Sequence, residues 1–489
     1  MHPAARSPTR ITASRIEAMS SLPRLTAATL ERLPMSVLRP GYDPPRRSGI
    51  VHLGLGAFHR AHQAVYTDDA LAAGAADWGI TGVSLRAAQV RDQLEPQAGR
   101  YTVTSSGNAG DEIRLIGAIR QVLVAPENPR AVIEALAAPD THIVSITLTE
   151  KGYHRQRDQT LDLSAAAVVH DLQGGAQTLY GLLAQACALR RKRGLPGVTV
   201  LSCDNLAANG QQLERLLGEF LERVDPATAA WVQRECCFPC SMVDRIVPAT
   251  RPQDLAWLDA QLGVHDAGAV MTEPFRQWVI EERFAGPHPP WQAGGAQWVT
   301  RVAPYETAKL RMLNGAHSAL AYLGLARGHE LVAEAIADPP LAELVNQLMR
   351  AEAAPSFEPA PQQDLNAYAD QLTARFANRA RPHRLSQIAM DGSQKIPQRW
   401  LETLRDARSQ GRRCPAILQA LAAWIAYVRG ARFTVEDPAA QELAGLWQQH
   451  GVNGIAGALF GAGGRFPQWT ASAPELAQLT TDIKGCLAA

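Results

Sequence analysis

The chain has 489 residues, of which 46% are hydrophobic and 19% charged, and its formal net charge at pH 7 is +1. This length predicts two or three domains, and the balanced charge argues against binding to nucleic acid or to an anionic membrane surface. No run approaches the roughly 18 consecutive apolar residues that a membrane-spanning helix needs, so we expect a small-molecule partner and a monomer or weak homo-oligomer.

Residues 1–46 are expected to form an N-terminal extension that is partly disordered. Its first part is basic and rich in Ser, Thr and Ala. An organelle transit peptide has such a composition. However, Glu17 and the broken apolar pattern favour a disordered tail, or a start at Met19 that would leave residues 1–18 outside the native protein.

The seven cysteines are odd in number and sparse, which is typical of reduced thiols in the cytoplasm. Cys236, Cys237 and Cys240 could belong to a metal site. No second Cys pair or His pair follows at the spacing of a zinc finger. We therefore expect buried, unreactive thiols and no metal.

Short apolar runs alternate with helical patterns in the first half of the chain. The runs predict buried strands at residues 49–54, 78–85, 142–148 and 197–202, and a helix at residues 61–73 follows the first of them. This alternation indicates an α/β fold with a mostly parallel sheet covered by helices. We assign residues 47–297 to this domain.

A glycine turn follows the first predicted strand. Gly54 permits a tight turn, Gly56 lets a ligand approach the backbone, and His59 stands where a third glycine is common. The strand before the turn and the helix after it favour binding of a dinucleotide pyrophosphate.

The choice of coenzyme depends on the end of the second predicted strand. An acidic residue at this position usually holds the adenosine ribose of NAD, but here no carboxylate precedes Asp92. Arg86 and Arg91 could bind a 2′-phosphate or could be solvated surface residues. We expect NAD, with NADP not excluded.

Long amphipathic helices dominate from about residue 304 onward. The strongest patterns cover residues 303–325, 331–352, 365–377 and 417–428. A Pro- and Gly-rich segment at residues 286–295 precedes this change and suits a domain boundary. We assign residues 298–489 to a mainly α-helical domain.

The first of these helices carries polar groups suited to acid–base chemistry. At about 100° per residue, Lys309, Asn314 and His317 lie within an arc of about 140° on an otherwise apolar face. Without zinc, a buried lysine with a lowered pKa can exchange a proton with an alcohol, while amide N–H groups stabilise the oxygen. Asn205, just beyond the 197–202 strand, is a second amide candidate.

Several segments together resemble the mannitol dehydrogenase family of long-chain, polyol-specific dehydrogenases. The resemblance covers roughly nine-tenths of the chain. The segments that carry it are GLGAFHRAHQ (54–63), TEKGY (149–153), SCDN (202–205), FPCSMVDRI (238–246), EPFRQWV (273–279), KLRMLNGAH (309–317) and DGSQK (391–395).

The resemblance implies a Rossmann-type N-terminal domain, a helical C-terminal domain and a site in the cleft between them. It implies that Lys309 is the acid/base and that Asn205 and Asn314 polarise the reacting oxygen. His317 and Lys395 would contact substrate oxygens, and Glu306 would help to pass the proton outward. The residues assigned to the coenzyme are Gly54, Gly56, Phe58, His59, Arg60 and Asp244, with Arg245 in a cofactor or cleft-shaping role.

Within the family the motifs favour a branch that reduces hexuronates. Polyol-oxidising members usually have glycine where this chain has Lys151, and Gln394-Lys395 also resembles the uronate branch. The carboxylate of a hexuronate needs a fixed cation. Lys151 is our candidate, with Lys395 and Arg384 as rivals, although Lys151 could instead pair with Glu150.

The expected reaction is the reversible reduction of the keto group of D-fructuronate to D-mannonate. A polyol dehydrogenase acting on mannitol or arabinitol is the nearest alternative. A catalytically silent nucleotide-binding protein and a zinc alcohol dehydrogenase are more distant ones. The combination of Lys309, Asn314 and Asn205 argues against the first of these, and the absence of a ligand set at zinc spacing argues against the second.

Overall fold

The computed structural model describes residues 22–156, 158–380 and 382–488. The expectations for residues 1–18 therefore lie outside the described residues. The chain divides into two units, of which the first ends at Val302 and the second begins at Ala303. The boundary expected from the sequence lies slightly earlier, between residues 297 and 298.

The strands of the described residues all belong to the first unit. They are β1 (Ile50–Leu53), β2 (Ile80–Ser84), β3 (Tyr101–Gly107), β4 (Gly110–Ile116), β5 (Ile119–Val124), β6 (Ile143–Ile146), β7 (Thr199–Ser202), β8 (Ser241–Asp244), β9 (Val270–Thr272), β10 (Gln277–Glu281) and β11 (Gln297–Val299).

The central sheet has five parallel strands in the order β5-β2-β1-β6-β7. Every residue of β1, β2, β6 and β7 is buried, because apolar side chains and helices cover both faces of the sheet. The four predicted strands are confirmed, and β5 is an additional one. The strand order reverses at β1, and α/β sheets bind ligands beyond the carboxyl ends of the strands at such a point.

Two smaller sheets were not predicted. One has the order β4-β3-β9 and contains an antiparallel hairpin, and the other has the order β11-β10-β8. Both sheets contain an antiparallel strand pair, β3 with β4 and β8 with β10, which lies outside the parallel βαβ pattern used in the prediction.

Helices of the first unit pack against these sheets. The predicted helix at residues 61–73 instead begins at Ala57 and is interrupted at His62, whose φ of −123° and ψ of −88° are not helical. The α-helices are Ala57–Ala61, Gln63–Ala72, Gln89–Leu94, Pro129–Leu136, Ala166–Leu172, Leu179–Lys192, Asn209–Val224, Pro226–Glu235 and Pro252–Leu262. Short 3-10 helices are Ala27–Arg32, Glu95–Gln97, Glu150–Tyr153 and Trp291–Gly294.

The described part of the N-terminal extension is packed. Leu25, Leu33 and Val37 are buried in an apolar cluster with Leu258 and Met271. Residues from 22 onward are therefore part of the first unit, because their apolar side chains complete one of its cores.

The second unit consists of helices joined by loops and has no strand among its described residues. Its α-helices are Ala303–Ala308, Gly315–Ala326, Val332–Ala337, Pro339–Gln347, Leu365–Phe376, Leu385–Ala389, Gly392–Ile396, Glu402–Ser409, Pro415–Tyr427, Ala440–Phe460 and Ala473–Ala488. π-Helical turns occupy Lys309–Asn314, Leu348–Ala353 and Pro397–Leu401, and a 3-10 turn occupies Ala354–Ser356. One large core, which contains Trp400 and Trp424, holds these helices together.

No helix in the described ranges is long and apolar enough to cross a membrane.

Candidate functional site

The glycine turn after β1 is shaped by a close backbone contact. Gly54 has a φ of +96°, and a Cβ atom at this position would lie 1.9 Å from the carbonyl oxygen of Thr147. The nearest atom to a Cβ at Gly56 would be 3.8 Å away, so the backbone there is open to a ligand. The first glycine is thus required by packing within the sheet, and the second faces open space.

A cavity of about 680 Å³ lies beyond the carboxyl ends of β1, β2, β6 and β7. Its walls include Gly54, Gly56, Phe58 and Asn205, which are four of the residues predicted to bind coenzyme or polarise the substrate. The remaining lining residues are Leu55, Ala57, Ser84, Leu85, Arg86, Ala87, Gln89, Val90, Thr147, Leu148, Thr149, Glu150, Gly152, Cys203, Asp204 and Leu206.

His59 and Arg60 lie behind the glycine turn and do not line this cavity. The His59 ring stacks on His52 with 3.4 Å between the ring centroids, and both residues are fully buried. Burial lowers the pKa of His52 to about 3 and that of His59 well below its ordinary value, so both rings are neutral. Arg60 donates to the carbonyl oxygen of Gly268. These two side chains support the turn from inside the unit.

Asp244 and Arg245 occupy the end of β8 and the position after it, and both are buried. The Arg245 guanidinium donates to the carbonyl oxygens of Ala61 and Glu273 and to Ser105 Oγ. Its pKa is lowered to about 10, mainly by burial. Arg245 therefore joins several segments of the first unit, and neither residue lines the cavity.

Asn205 follows Asp204, which anchors the loop after β7. The Asp204 carboxylate accepts hydrogen bonds from Leu148 N at 2.7 Å and from Tyr153 Oη at 2.5 Å. These bonds connect the loop after β7 to the loop after β6, and Asn205 is exposed next to them on the cavity wall. Sequence reasoning gave Asp204 no role, although it belongs to the SCDN motif.

The end of β2 contains one arginine on the cavity wall. Arg86 lines the cavity, whereas Arg91 is bound to Asp92 at 2.9 Å and to Glu127. The Ser84 hydroxyl is buried, and no hydrogen-bond partner for it exists among the described residues. Of the two arginines considered from the sequence, only Arg86 is placed to meet a ligand.

In the second unit, Lys309 and Asn314 are the first and last residues of a π-helical turn. The regular α-helix assumed in the sequence argument is wrong at this point. In an α-helix, five residues correspond to a rotation of about 500°, which leaves the two side chains about 140° apart. A π-turn pairs residues i and i+5, so it brings these positions closer to one face.

His317 lies on the α-helix that continues from this turn. Its ring contacts Phe376 and His383, with centroid separations of 4.7 and 5.2 Å. Burial, and then the neighbouring His383, Arg375 and Arg399, lower the pKa of His317 well below its ordinary value. The imidazole is therefore neutral at pH 7 and can exchange hydrogen bonds with hydroxyl groups. Glu306 lies one turn before Lys309 and is partly buried.

The three cations predicted to recognise a carboxylate lie in different surroundings. Lys151 is exposed on the 3-10 turn after β6, outside the set of cavity-lining residues. Arg384 is exposed and lies 3.7 Å from Glu330. Lys395 is partly buried and donates to the carbonyl oxygen of Met390 at 2.6 Å. Burial, followed by the charge of Arg399, lowers the Lys395 pKa.

The cysteines considered as metal ligands are free thiols. The neighbouring Cys187 thiol lowers the pKa of Cys236, whereas Cys236 raises that of the buried Cys187. Within the described residues, no group of three or more His, Cys, Asp or Glu side chains is arranged to hold a metal ion.

Comparison with known proteins extends over almost the whole chain. Residues 48–293 match the mannitol dehydrogenase Rossmann domain, and residues 301–458 match the mannitol dehydrogenase C-terminal domain. D-mannonate oxidoreductase of Escherichia coli (strain K12) is 41% identical over 88% of this chain and 92% of its own length. A mannitol 2-dehydrogenase of Phaeosphaeria nodorum is 37% identical over 90% of this chain and 79% of its own length.

Two solved structures share the fold over nearly their whole length. Pseudomonas fluorescens mannitol 2-dehydrogenase, in a ternary complex with NAD and D-mannitol, is 34% identical with a TM-score of 0.78 and covers 95% of this chain and 96% of its own. A D-sorbitol dehydrogenase in substrate-free form is 31% identical with a TM-score of 0.86 and covers 94% and 97%, respectively. The chain belongs to the mannitol dehydrogenase family and is an oxidoreductase that acts on CH–OH groups.

Proposed function

We propose that this protein is an NAD-dependent D-mannonate oxidoreductase that reversibly reduces the keto group of D-fructuronate. The observation that carries the substrate assignment is the 41% identity to a D-mannonate oxidoreductase over 88% of the chain. We assign the acid–base chemistry to groups of the second unit and coenzyme binding to the cavity of the first.

The residues of the first unit fit a dinucleotide. Gly56 leaves the backbone open next to the cavity, and Gly54 allows the turn to pass Thr147. A structure of the 34% identical mannitol 2-dehydrogenase contains NAD. When bound, the nicotinamide would accept or supply the hydride, and Gly54, Gly56 and Phe58 would hold the dinucleotide. His59, Arg60 and Asp244 would act on it indirectly, by supporting the turn and β8.

Lys309 is the proposed acid/base. In the reducing direction its ammonium gives a proton to the oxygen of the keto group as the carbon receives hydride, and in the oxidising direction the amine takes the hydroxyl proton back. Glu306, one turn earlier, would pass that proton to solvent. Asn205 and Asn314 are proposed to donate hydrogen bonds to the same oxygen, whose negative charge grows in the transition state.

His317 and Lys395 are proposed to bind other oxygens of the substrate. The neutral imidazole suits hydroxyl groups, because it offers one donor and one acceptor without a charge to be compensated. Lys395, which already donates to Met390, has further donors to offer.

Steady-state kinetics with paired substrates test this proposal. The purified enzyme should reduce fructuronate with a kcat/KM at least about 100-fold above that for fructose, since fructose lacks the carboxylate. Comparable values for the two substrates would contradict the uronate assignment. No consumption of NADH with either substrate would contradict the proposed activity altogether.

A polyol dehydrogenase acting on mannitol or arabinitol is the second candidate. It is supported by the 37% identity to a mannitol 2-dehydrogenase over 90% of the chain. The same kinetic comparison distinguishes the two candidates, because a polyol enzyme would prefer fructose or xylulose to fructuronate.

We further propose that the enzyme works in the cytoplasm. The seven cysteines are free thiols, five of them buried, and a reducing compartment maintains them in that state.

A further inference from the structure

Arg399 lies on the π-helical turn Pro397–Leu401, which packs against the helix that follows the Lys309–Asn314 turn. The next residue, Trp400, is fully buried, and its indole N–H donates to the carbonyl oxygen of Gly315 at 3.2 Å. Arg399 itself donates through Nη1 to Ser318 Oγ at 2.7 Å and to the carbonyl oxygen of Asn314 at 3.4 Å. The guanidinium is thereby fixed beside the residues proposed for catalysis.

The acceptors of Arg399 are both neutral. Among residues 22–156, 158–380 and 382–488, no carboxylate lies within ion-pair distance of this guanidinium, and all of its hydrogen bonds are made by Nη1, to Asn314 O and Ser318 Oγ. Burial lowers its pKa to about 10. A partly buried cation without a counter-ion is costly, because it has lost water and gained no compensating charge.

Arg311, on the neighbouring π-turn, shows the ordinary arrangement. It is buried, and its Nη2 lies 2.7 Å from Asp406 and 3.6 Å from Glu402. Within its described residues, the second unit thus gives Arg311 two carboxylates and gives Arg399 none. This difference indicates that the counter-ion of Arg399 comes from outside the protein.

A second cation reinforces the positive charge at this place. Lys395 is one turn before Arg399, and the arginine is the largest charge influence that lowers its pKa. The only carboxylate paired with Lys395 in the described residues, that of Asp391, is 4.0 Å away. An anion bound between the two side chains would relieve their mutual repulsion.

We propose that Arg399 binds the carboxylate of the sugar-acid substrate, with Lys395 as the second cation. This inference rests on the proposed function and names the residue that selects a uronate over a neutral ketose. The planar guanidinium can form two parallel hydrogen bonds to a carboxylate through its remaining N–H groups. Lys151 and Arg384, the other candidates from the sequence, would then have no direct contact with the carboxylate.

Kinetics of three variants test this role. In Arg399→Met, the ratio of kcat/KM for fructuronate to that for fructose should fall about 100-fold, mainly through a higher KM for fructuronate. Arg399→Lys keeps the positive charge but cannot form two parallel hydrogen bonds to a carboxylate, so the ratio should fall about tenfold. Arg405→Met removes an exposed arginine that is paired with Asp406, and the ratio should stay within twofold of the wild-type value.

Equilibrium binding provides a readout that does not depend on turnover. Calorimetric titration of mannonate into the enzyme–NADH complex, which cannot react, should show the same loss of affinity in Arg399→Met. If the methionine variant does not fold, Arg399→Lys carries the test through both measurements. A substrate ratio and a mannonate affinity within threefold of the wild-type values would overturn the role of Arg399.

Failure of the proposed function would be detected in the kinetics of the wild-type enzyme, before the variants are measured. A wild-type protein that reduced fructose as well as fructuronate would reject the uronate assignment before any variant was compared. A selective wild-type enzyme whose selectivity survived in the folded variants would reject Arg399 alone.

Discussion

Asp204 connects the two loops that carry cavity residues at the ends of β6 and β7. Its carboxylate is partly buried and is held by Leu148 N and Tyr153 Oη. Burial raises its pKa from 3.8 to about 7, even though both hydrogen bonds act in the opposite direction. The protonated form is therefore favoured in the folded protein relative to the unfolded chain.

This raised pKa has a measurable effect on stability. Between about pH 4 and pH 7, the folded state keeps the Asp204 proton while the unfolded chain has lost it. The contribution of Asp204 to the free energy of unfolding is therefore complete at low pH, falls across this range and is lost once the pH has risen through about 7. Asp204→Asn keeps the shape and cannot ionise. The melting temperature of this variant minus that of the wild type should therefore increase from pH 5 to pH 8, by several degrees. A difference that stayed constant with pH would show that Asp204 does not titrate in this range.

Arg86 is the residue on which we expect coenzyme choice to depend. It lines the cavity at the end of β2, near a buried Ser84 hydroxyl without a partner in the described residues. No residue of the segment 84–90 is acidic, so nothing in this segment repels a 2′-phosphate. We expect NAD to be used, and we expect weak discrimination against NADP.

Fluorescence titration with both reduced coenzymes measures this discrimination. The wild-type dissociation constants for NADPH and NADH should differ by less than about tenfold, and Arg86→Ala should weaken NADPH binding about tenfold while changing NADH binding less than threefold. Equal effects on the two coenzymes would show that Arg86 does not contact the 2′-phosphate of the adenosine ribose.

At the scale of single elements, the turn after β1 offers a matched pair of variants. Gly54 and Gly74 have nearly the same φ, +96° and +99°. A Cβ at Gly54 would lie 1.9 Å from Thr147 O, whereas a Cβ at Gly74 would meet nothing within 4 Å. Alanine at either position would have to adopt a positive φ, but only Gly54→Ala also forces β1 and β6 apart.

We therefore expect different results from the two alanine variants. Gly74→Ala should lower stability by about 1 kcal/mol and leave NADH affinity unchanged, because only the backbone conformation is penalised. Gly54→Ala should lower stability by at least about 3 kcal/mol and weaken NADH binding strongly. Denaturant unfolding and NADH titration provide both values, and equal losses in the two variants would contradict the close contact at Thr147.

The π-turn at Lys309–Asn314 shows what a sequence pattern can miss within an element. The spacing of Lys309, Asn314 and His317 predicted a helix with polar groups on one side, and the helical prediction is confirmed. However, the prediction assumed the α-helical period of 3.6 residues per turn. A single π-turn changes the spacing of apolar residues too little to be detected in such a pattern. The closer alignment of Lys309 and Asn314 could be found only from the structure.

Arg399 and Asp204 could not have been found from spacing for a different reason. Each belongs to or follows a recognised motif, but its role depends on which charges surround it in three dimensions. The lack of a carboxylate near Arg399 among the described residues and the burial of Asp204 are properties of packing between elements that are distant in the sequence. In contrast, Gly54 and Gly56 were predictable, since a strand-turn-helix sequence determines their local geometry.

At the scale of the whole molecule, the chain separates into a sheet-containing unit and a helical unit. The alternating pattern of the first and the long amphipathic runs of the second predicted this division, because each pattern belongs to one class of architecture. The two small sheets and the packed residues 22–46 were missed, since they belong to neither the βαβ pattern nor the long amphipathic helices.

The proposed functions also divide between the units. Residues assigned to the dinucleotide belong to the first unit, and the proton-transferring group, Lys309, belongs to the second. Coenzyme binding and turnover should therefore be separable by substitution. A change at Lys309 should affect the chemical step without reducing the affinity for NADH.

The most direct test of the account is the turnover of Lys309→Met with fructuronate and NADH at pH 7, compared with Lys484→Met as an exposed lysine control in the same unit. We predict that Lys309→Met lowers kcat by about 1,000-fold while the NADH dissociation constant stays within threefold of the wild-type value, and that Lys484→Met retains full activity. A Lys309→Met enzyme whose kcat remained within tenfold of the wild-type value would contradict the assignment of Lys309 as the acid/base.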